Sequence, residues 1–306
     1  MNIRPSEIKK IYLEGKNINA YLKNKLGIAH NSEKIIELSY DLQAGSYTKN
    51  ILNNDNIKEF YTRYTKELTL EINKLCNPKS IMEAGIGEAT TLANLLHNLN
   101  NDNLQSFGFD ISYSRLLYAK NYLQKQGCLK TKLCTGNLFD IPLLDDSIDI
   151  VYTSHSIEPN GGHEKKILKE LYRVTNKYLI LLEPAYELSN VEIQSRMDHH
   201  GYCRNLKQYA LELGFKVIKY ELFKYNANPL NPTAILIIKK DTKSNIKEEK
   251  FACPKYKTPL SMYNDQAYYS EDSLMMYPIV NEIACLRIEN GILATKLLDH
   301  NIENQC

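Results

Sequence analysis

The sequence contains no tryptophan and only 7 phenylalanines among its 306 residues, although tyrosine occurs 22 times. No stretch reaches 18 consecutive apolar residues, which argues against a membrane-spanning helix. Residues 1–6 have no apolar core and so do not resemble a secretory signal peptide. These absences predict a cytoplasmic protein without membrane contact.

The cysteines show no regular spacing. There are 7, an odd number, and none forms the close pairs of a disulfide or metal-binding framework, so we predict reduced thiols. The formal net charge of +2 gives the whole chain no strong attraction for nucleic acid. Hydrophobic residues make up 43% of the sequence, enough for the core of one α/β domain with additions.

The most informative stretch is residues 80–92, a short apolar run that ends in Glu83 and continues through Gly85 and Gly87 into a helical pattern. Glycine allows the sharp turn between a strand and a helix, and it leaves the backbone open to a ligand. The third glycine of a dinucleotide fingerprint is missing. Taken alone, the motif fits an ordinary strand-to-helix turn equally well.

Further apolar runs follow at regular intervals. Residues 105–110 end in Asp110, 25 residues after Gly85, where a strand-helix-strand crossover would return the chain beside the first strand and place Asp110 to bind ribose hydroxyls. Residues 132–137 and 148–153 form the next two runs, and polar residues follow the second of them. Helical patterns separate the runs, which predicts a mainly parallel sheet.

The remaining pattern completes this architecture. Residues 178–184, 215–223 and 233–238 read as three more strands, giving seven in a Rossmann-like α/β sheet. Helices are predicted at residues 89–99, 113–126, 162–174 and 205–213, with an insertion at residues 186–203. Residues 1–75 read as a helical extension with a loop at residues 40–47 and a long helix at residues 60–75.

Over residues 75–240 the sequence resembles the class I S-adenosylmethionine-dependent methyltransferases. In that family the acid and glycines of the first loop hold the methionine end of the cofactor, the acid after the second strand binds ribose, and a polar residue after the third strand meets adenine. The resemblance assigns these roles to Glu83, Gly85 and Gly87, to Asp110, and to Asn137. Three neighbours complete the predicted cofactor set: Ile111, Leu138 and Ser154.

Two positions depart from the family pattern. Ala89 lies near the position at which many members of the family have a further glycine. Asn137 replaces the more usual aspartate, which makes the predicted adenine contact the least secure of the set. These departures keep open a second hypothesis, a regulatory or scaffold protein of methyltransferase fold without catalysis.

Polar groups cluster after the fourth and fifth predicted strands, where ligands bind in open α/β sheets. Methyl transfer to a hydroxyl requires positioning of the acceptor and removal of its proton. Histidine titrates near neutral pH, so His155, His163 and His199 are candidate bases, with His155 first because it directly follows a strand. Each could equally be a helix cap or a solvated loop residue. Candidate substrate and lid residues are Gln43, Tyr47, Glu158, Glu183, Tyr186, Arg196, His200 and Tyr202.

A metal site is the alternative for part of this cluster, since Glu183, Asp198, His199 and His200 carry metal-binding groups. Adjacent histidines point apart, however, and no paired acids have the required spacing. We therefore predict no metal. Gln43 and Tyr47 have an alternative as well, an ordinary surface loop.

The acceptor is predicted by elimination. Amino-methyltransferases that act on bases usually carry an asparagine or aspartate, followed by two prolines and an aromatic residue, after the fourth strand. Residues 154–157 lack this motif, and no cysteine nucleophile follows the fourth strand. The remaining class is a hydroxyl of a sugar, a glycan precursor or another small metabolite. RNA is the less favoured partner.

Beyond residue 240 the composition changes. Residues 241–250 are a charged linker, and residues 251–306 are predicted to form a small accessory domain, of which roughly residues 250–290 resemble the small zinc-ribbon proteins that bind and activate class I methyltransferases. The resemblance rests on Cys253-Pro254, Pro259-Leu260 and Tyr277-Pro278-Ile279. Where that family places further cysteines, this chain has Tyr256, Ser270 and Ser273. Since zinc requires four ligands, we predict a zinc-free ribbon that packs against its own catalytic domain.

Overall fold

The structure, a computed structural model, describes residues 4–27, 31–241 and 249–299. Most of the predicted linker, residues 242–248, lies outside the described residues. None of the helices within the described ranges is long and apolar enough to cross a membrane.

Among the described residues, five α-helices precede the first strand, and five more alternate with the strands or follow the fifth. The first five are α1 (Pro5–Leu13), α2 (Ile18–Leu26), α3 (Glu33–Leu42), α4 (Ser46–Asn53) and α5 (Asp55–Leu75). The others are α6 (Thr90–Leu99), α7 (Tyr113–Lys125), α8 (Glu164–Val174), α9 (Val191–His200) and α10 (Leu206–Glu212).

Seven strands form the main sheet: β1 (Ser80–Ala84), β2 (Gln105–Asp110), β3 (Lys132–Thr135), β4 (Ile148–Ser154), β5 (Thr175–Pro184), β6 (Lys216–Leu222) and β7 (Thr233–Lys239). Their order is β3-β2-β1-β4-β5-β7-β6. Strands β1 to β5 pair in parallel, and β7 runs antiparallel to β5 and β6. The predicted Rossmann-like α/β fold is confirmed.

The strand order reverses between β1 and β4. From β1 the chain moves one way to β2 and β3, and from β4 it moves the other way to β5. The loops that follow β1 and β4 therefore diverge and leave a crevice at the carboxyl ends of these strands.

Two apolar layers cover the sheet. One face packs against α8 and α10, and the other packs against α5, α6 and α7. In α5 the buried residues recur at helical spacing, with Tyr64, Leu68 and Ile72 on one side. A separate small core joins α1, α2 and α3 through Ile8 and Leu22. The amino-terminal extension thus has an apolar centre of its own.

The predicted loop at residues 40–47 is mostly helical. Helix α3 continues to Leu42 and α4 begins at Ser46, so only a three-residue turn remains. The turn requires Gly45, whose φ of 94° is left-handed and whose added Cβ would lie 2.6 Å from the Tyr118 ring. Helix α5 also begins earlier than predicted, because Asn54 caps its first turn.

The carboxyl-terminal residues extend the main sheet. The strands are β8 (Ser261–Tyr263), β9 (Ala267–Ser270), β10 (Met275–Val280), β11 (Ile283–Cys285) and β12 (Ile292–Leu293). Strand β11 pairs in parallel with β3, and antiparallel pairing continues to β10, β9 and β8, with β12 beside β10. Within the described residues this gives one continuous sheet of 12 strands.

Candidate cofactor and acceptor site

A cavity of about 330 Å³ lies at the carboxyl ends of β1, β2, β3 and β4. Its volume is typical of small-molecule sites. Loops after these strands form its floor, and aromatic side chains of the amino-terminal helices form its roof. The roof residues are Tyr40, Tyr47, Phe60, Tyr61 and Tyr64.

The glycine turn after β1 has the conformation that the sequence predicts. Gly85 and Gly87 have φ values of 74° and 55°, in the left-handed region. A Cβ on Gly85 would lie 2.4 Å from Cβ of Ser156, so no larger residue fits there. The Gly87 N–H donates to Oδ2 of Asp110 at 2.9 Å, which joins the turn to the end of β2.

Glu83, the next-to-last residue of β1, is a buried carboxyl group in the cavity wall. It accepts a hydrogen bond from the Tyr152 hydroxyl at 2.9 Å. Burial raises the pKa of Glu83 to about 8, and the nearby charge of Asp110 acts in the same direction. Near neutral pH this group therefore holds a proton that an incoming cation would displace.

Asp110 is also buried and lines the cavity. Besides the Gly87 N–H, its carboxylate accepts from the Ser112 N–H at 2.9 Å. Burial raises the pKa of Asp110, whereas the charge of Arg115 and these two N–H groups oppose the rise. The carboxylate is thus fixed in orientation.

Asn137 follows β3 and lines the cavity with Ile111 and Leu138. Its Oδ1 accepts from the Phe139 N–H at 3.0 Å, and its Nδ2 donates to Glu33 at 2.6 Å. The amide is therefore engaged with the protein, and two apolar side chains line the cavity near it.

Arg115 lines the same cavity and was not predicted from the sequence. It is 8% exposed, and its guanidinium group lies between the rings of Tyr40 and Tyr47, 4.7 Å and 4.6 Å from their centroids. Its buried Nε has no hydrogen-bond partner among the described residues. An arginine inside a strand-following helix resembles a surface residue in sequence, so no local signal marks it.

Two carboxylates fasten the amino-terminal helices over the glycine turn. Glu88, which is 2% exposed, accepts from the N–H groups of Gly45, Tyr47 and Thr48 at the start of α4. Asp41 at the end of α3 accepts from Ser112 and Ser114 at the start of α7. Each carboxylate caps a helix amino terminus, where negative charge is favourable. Sequence reasoning missed both residues because their partners are distant along the chain.

The polar loop after β4 centres on His155. Its Nδ1 lies 2.6 Å from Glu158 and its Nε2 lies 2.8 Å from Oγ1 of Thr233. Burial would lower the pKa of His155, but the hydrogen bond and charge of Glu158 raise it. The pKa of Glu158 shifts the other way. Burial would raise it, but the hydrogen bond and charge of His155 lower it. Both side chains line the cavity, together with Asn231.

Glu183 is placed beneath this loop and not among the cavity-lining residues. Its carboxylate accepts from the backbone N–H groups of Ser156, Ile157 and Glu158 at 3.0–3.1 Å. Burial raises the pKa of Glu183 to about 7, although these donors favour its charged form. The residue fixes the loop that carries His155.

The other predicted cavity residues divide into two groups. Ser154 and Tyr47 line the cavity, and Ser154 is 3.0 Å from the hydroxyl of Tyr64. The remaining residues are not among its lining residues: Gln43, His163, Tyr186, Arg196, His199, His200 and Tyr202.

Local structure accounts for several of these positions. Gln43 ends α3, His163 is exposed at the start of α8 with its ring 5.4 Å from Phe139, and His199 is exposed on α9. Tyr186 donates to Asp198 at 2.9 Å. The structure therefore brings only His155, among the three candidate bases, to the cavity.

Within the described residues, no set of three or more His, Cys, Asp or Glu side chains is arranged to hold a metal ion. Glu183 is committed to backbone N–H groups, and Asp198 pairs with Arg204 at 3.0 Å.

The predicted ribbon positions meet around Cys253. Its Sγ lies 3.6 Å from Oγ of Ser273 and 3.9 Å from the hydroxyl of Tyr277. Burial raises the pKa of Cys253, but hydrogen bonds from Ser270 and from the Tyr256 backbone N–H outweigh burial and lower it. Tyr256 itself is 49% exposed.

Comparison with known families identifies one domain. Residues 81–177 match the sequence profile described as "Methyltransferase domain". No curated protein sequence matches the chain significantly.

Solved structures match over a larger part of the chain. Magnesium protoporphyrin IX methyltransferase from Synechocystis PCC 6803 with bound SAH is 12% identical, with a TM-score of 0.54, and the match covers 69% of this chain and 100% of that chain. The same enzyme with bound SAM is 13% identical, with a TM-score of 0.53 and coverage of 70% and 99%. A SAM-dependent methyltransferase from Aquifex aeolicus is 17% identical, with a TM-score of 0.43 and coverage of 56% and 88%.

The chain has the α/β fold of the solved magnesium protoporphyrin IX methyltransferase, and its residues 81–177 match a methyltransferase domain.

Proposed function

We propose that this protein is an S-adenosylmethionine-dependent methyltransferase that acts on a hydroxyl of a sugar, a glycan precursor or a similar small metabolite. The observation that carries the proposal is the position of Glu83 and Asp110 on either side of a bare glycine turn in one cavity.

The residues present fit the cofactor. Arg115 lies beside Gly87, where an added Cβ would come within 3.3 Å of its Nη1, and its buried Nε has no hydrogen-bond partner among the described residues. Glu83 would hold the ammonium group, Asp110 the ribose hydroxyls, and Arg115 the carboxylate, since each pairing joins complementary charges or donors and acceptors. When bound, S-adenosylmethionine supplies a methyl group on a positively charged sulfur. The protein has to align the acceptor and exclude water.

His155 is the group that can accept the proton of the acceptor hydroxyl. With its Nδ1–H donating to Glu158, Nε2 is free of a proton and accepts from the Thr233 hydroxyl. A substrate hydroxyl that takes the place of Thr233 would lie within proton-transfer distance of Nε2. Glu158 raises the pKa of His155, which makes it a stronger base.

The acceptor class follows from the chemistry of the cavity rim. Hydroxyl and amide groups dominate near His155, with Ser154, Ser156, Asn231 and Thr233 in the wall. Such groups form hydrogen bonds with several hydroxyls at once, as a sugar requires. Within the described lining, the one lysine or arginine is Arg115, which is buried beneath the roof. This supports a small acceptor over RNA, whose binding depends on contacts with many phosphates.

The carboxyl-terminal strands have a proposed role in the same molecule. We infer that they are a zinc-free relative of the ribbon activators, joined to their own catalytic domain. The pairing of β11 with β3 and the contacts around Cys253 support this inference.

Calorimetric titration with S-adenosylhomocysteine tests the proposal. We expect micromolar binding by the wild type and a loss of about ten-fold or more in Asp110→Ala, roughly the free energy of a lost pair of ribose hydrogen bonds. The exposed Asp102→Ala is the matched control and should bind like the wild type. Absence of binding to folded wild-type protein, or equal losses in both variants, would overturn the proposal. Methyl transfer to a panel of sugars and to short RNAs would then identify the acceptor class.

A further inference from the structure

A group of basic side chains lies beside the cavity, on α2 and α9. It consists of Lys23 on α2 and of Arg196, His199 and His200 on α9. Among the described residues, none of these four forms an ion pair with a carboxylate within 4.0 Å. The neighbouring Asp198 is already occupied by Arg204 and Tyr186. The positive charge is therefore not neutralised within this part of the protein.

Tyr202 connects this group to the cavity. Its ring stacks on His200 with the centroids 5.3 Å apart and the planes 23° from parallel. Its hydroxyl interacts with the side chains of Arg196 and Glu158, and the N–H of the next residue, Cys203, donates to the Glu158 carbonyl at 3.0 Å. Since Glu158 lines the cavity beside His155, the cations are one side chain away from the proposed site of methyl transfer.

The amino-terminal helices complete the arrangement. Asn31, just before α3, donates to the carbonyl of Pro159, so this part of the chain packs against the loop that carries Glu158. Burial lowers the pKa of His200, and the charges of Arg196, His199 and Lys23 act in the same direction, in decreasing order. Lys23 on α2 is therefore close enough to His200 for its charge to be felt there. The inner carboxylate, Glu158, is already engaged by His155, Asn231 and Tyr202 and so does not balance the outer cations.

We propose that Lys23, Arg196 and His200 form a subsite for a phosphate group of the acceptor, so that the substrate is a phosphorylated hydroxy compound such as a sugar phosphate or a nucleoside diphosphate sugar. This rests on the proposed function and narrows its substrate class. Arginine binds phosphate through two parallel N–H groups, and lysine adds a point charge. A phosphate here would leave the rest of the acceptor directed past Tyr202 toward His155.

Titration of the histidine ring signals by NMR tests this proposal with inorganic phosphate and ribose 5-phosphate as probes. Spectra are recorded at constant ionic strength, and His199→Gln and His200→Gln assign the signals. We expect saturable shifts of the His200 signal and a higher His200 pKa when phosphate is bound, because an anion favours the protonated ring. Ribose without phosphate should produce no shift.

Arg196→Gln should weaken phosphate binding by about ten-fold or more while S-adenosylhomocysteine affinity stays within about two-fold of the wild type. Lys125→Gln, which removes one charge from an exposed position in the last turn of α7, is the matched control and should leave both unchanged. If the wild-type protein did not bind S-adenosylhomocysteine, the proposed function would be overturned. Intact cofactor binding without a saturable phosphate effect would overturn only the subsite.

Binding of a short RNA at several salt concentrations is the remaining test. If RNA bound with steep salt dependence, and Arg196→Gln weakened it while ribose 5-phosphate had no effect on His200, the small-acceptor assignment would be wrong.

Discussion

Arg287, which follows β11, forms a two-pronged ion pair with Glu37 of α3. Its Nη1 lies 2.6 Å from Oε1, and its Nη2 lies 3.1 Å from Oε2. Nη1 also donates to the carbonyl of Ile111, the residue that follows Asp110. One side chain of the carboxyl-terminal strands thus contacts both a helix of the amino-terminal extension and the loop that carries the proposed ribose ligand.

We predict that Arg287→Met weakens S-adenosylhomocysteine binding by about three- to ten-fold, because the loop at Ile111 and helix α3 lose a shared support. The estimate corresponds to roughly 1 kcal/mol, modest because Glu37 is partly exposed. Stopped-flow dissociation kinetics should show the change mainly in the off-rate. Glu289→Gln removes the other carboxylate partner of Arg287 and serves as the control. Equal affinities for Arg287→Met and the wild type would show that the contact does not support the site.

Cofactor affinity should depend on pH through Glu83. Below its pKa of about 8 the free protein holds a proton on this carboxyl, and binding of an ammonium group favours its release. S-adenosylhomocysteine affinity should therefore rise with pH between pH 6 and 7.5, by at most about ten-fold per unit, and level off near pH 8. Calorimetry in one mixed buffer measures this. Glu83→Gln should bind weakly with no slope, and a wild-type affinity that fell with pH would contradict the assignment.

Arg115 should recognise the amino-acid part of the cofactor. We expect Arg115→Met to bind S-adenosylhomocysteine about ten-fold or more weakly, because a charge-assisted hydrogen bond is lost. Binding of 5′-methylthioadenosine, which lacks the ammonium and carboxylate groups, should change by less than about two-fold. Arg115→Lys should recover part of the affinity. If both ligands lost affinity equally, the role of Arg115 would be to order Tyr40 and Tyr47 instead.

Glu88→Gln should destabilise the protein by roughly 1–3 kcal/mol, because the amide nitrogen cannot accept the hydrogen bonds that the buried carboxylate receives from Gly45, Tyr47 and Thr48. Urea unfolding followed by circular dichroism measures the change, with the exposed Glu59→Gln as control. A midpoint equal to that of the wild type would show that α4 does not depend on this carboxylate.

Metal analysis of the purified protein should find less than about one zinc in ten chains, since a tetrahedral site needs four ligands and Cys253 has only hydroxyl neighbours and backbone N–H groups. Addition and removal of zinc should leave the melting temperature unchanged. One zinc per chain would contradict the zinc-free ribbon.

The sequence by itself determined the sheet. Apolar runs ending in Glu83 and Asp110, with helices of regular period between them, can bury their surface only as a parallel α/β sheet, and Gly85 and Gly87 define where its loop opens. These signals are local, because they depend on periodicity and on backbone freedom. For the same reason the sequence predicted that His155 would follow a strand.

Only the tertiary structure decided which side chains meet. The partners described above for Arg115, Glu88 and Arg287 come from segments 40 to 250 residues away, and no periodic pattern encodes such pairings. The same holds for His163 and His199, whose residue type suits catalysis but whose helices hold them outside the cavity. The sequence specifies the charge and hydrogen-bonding capacity of each side chain. The distances between the side chains that form a site are set only when the helices and loops pack on the sheet.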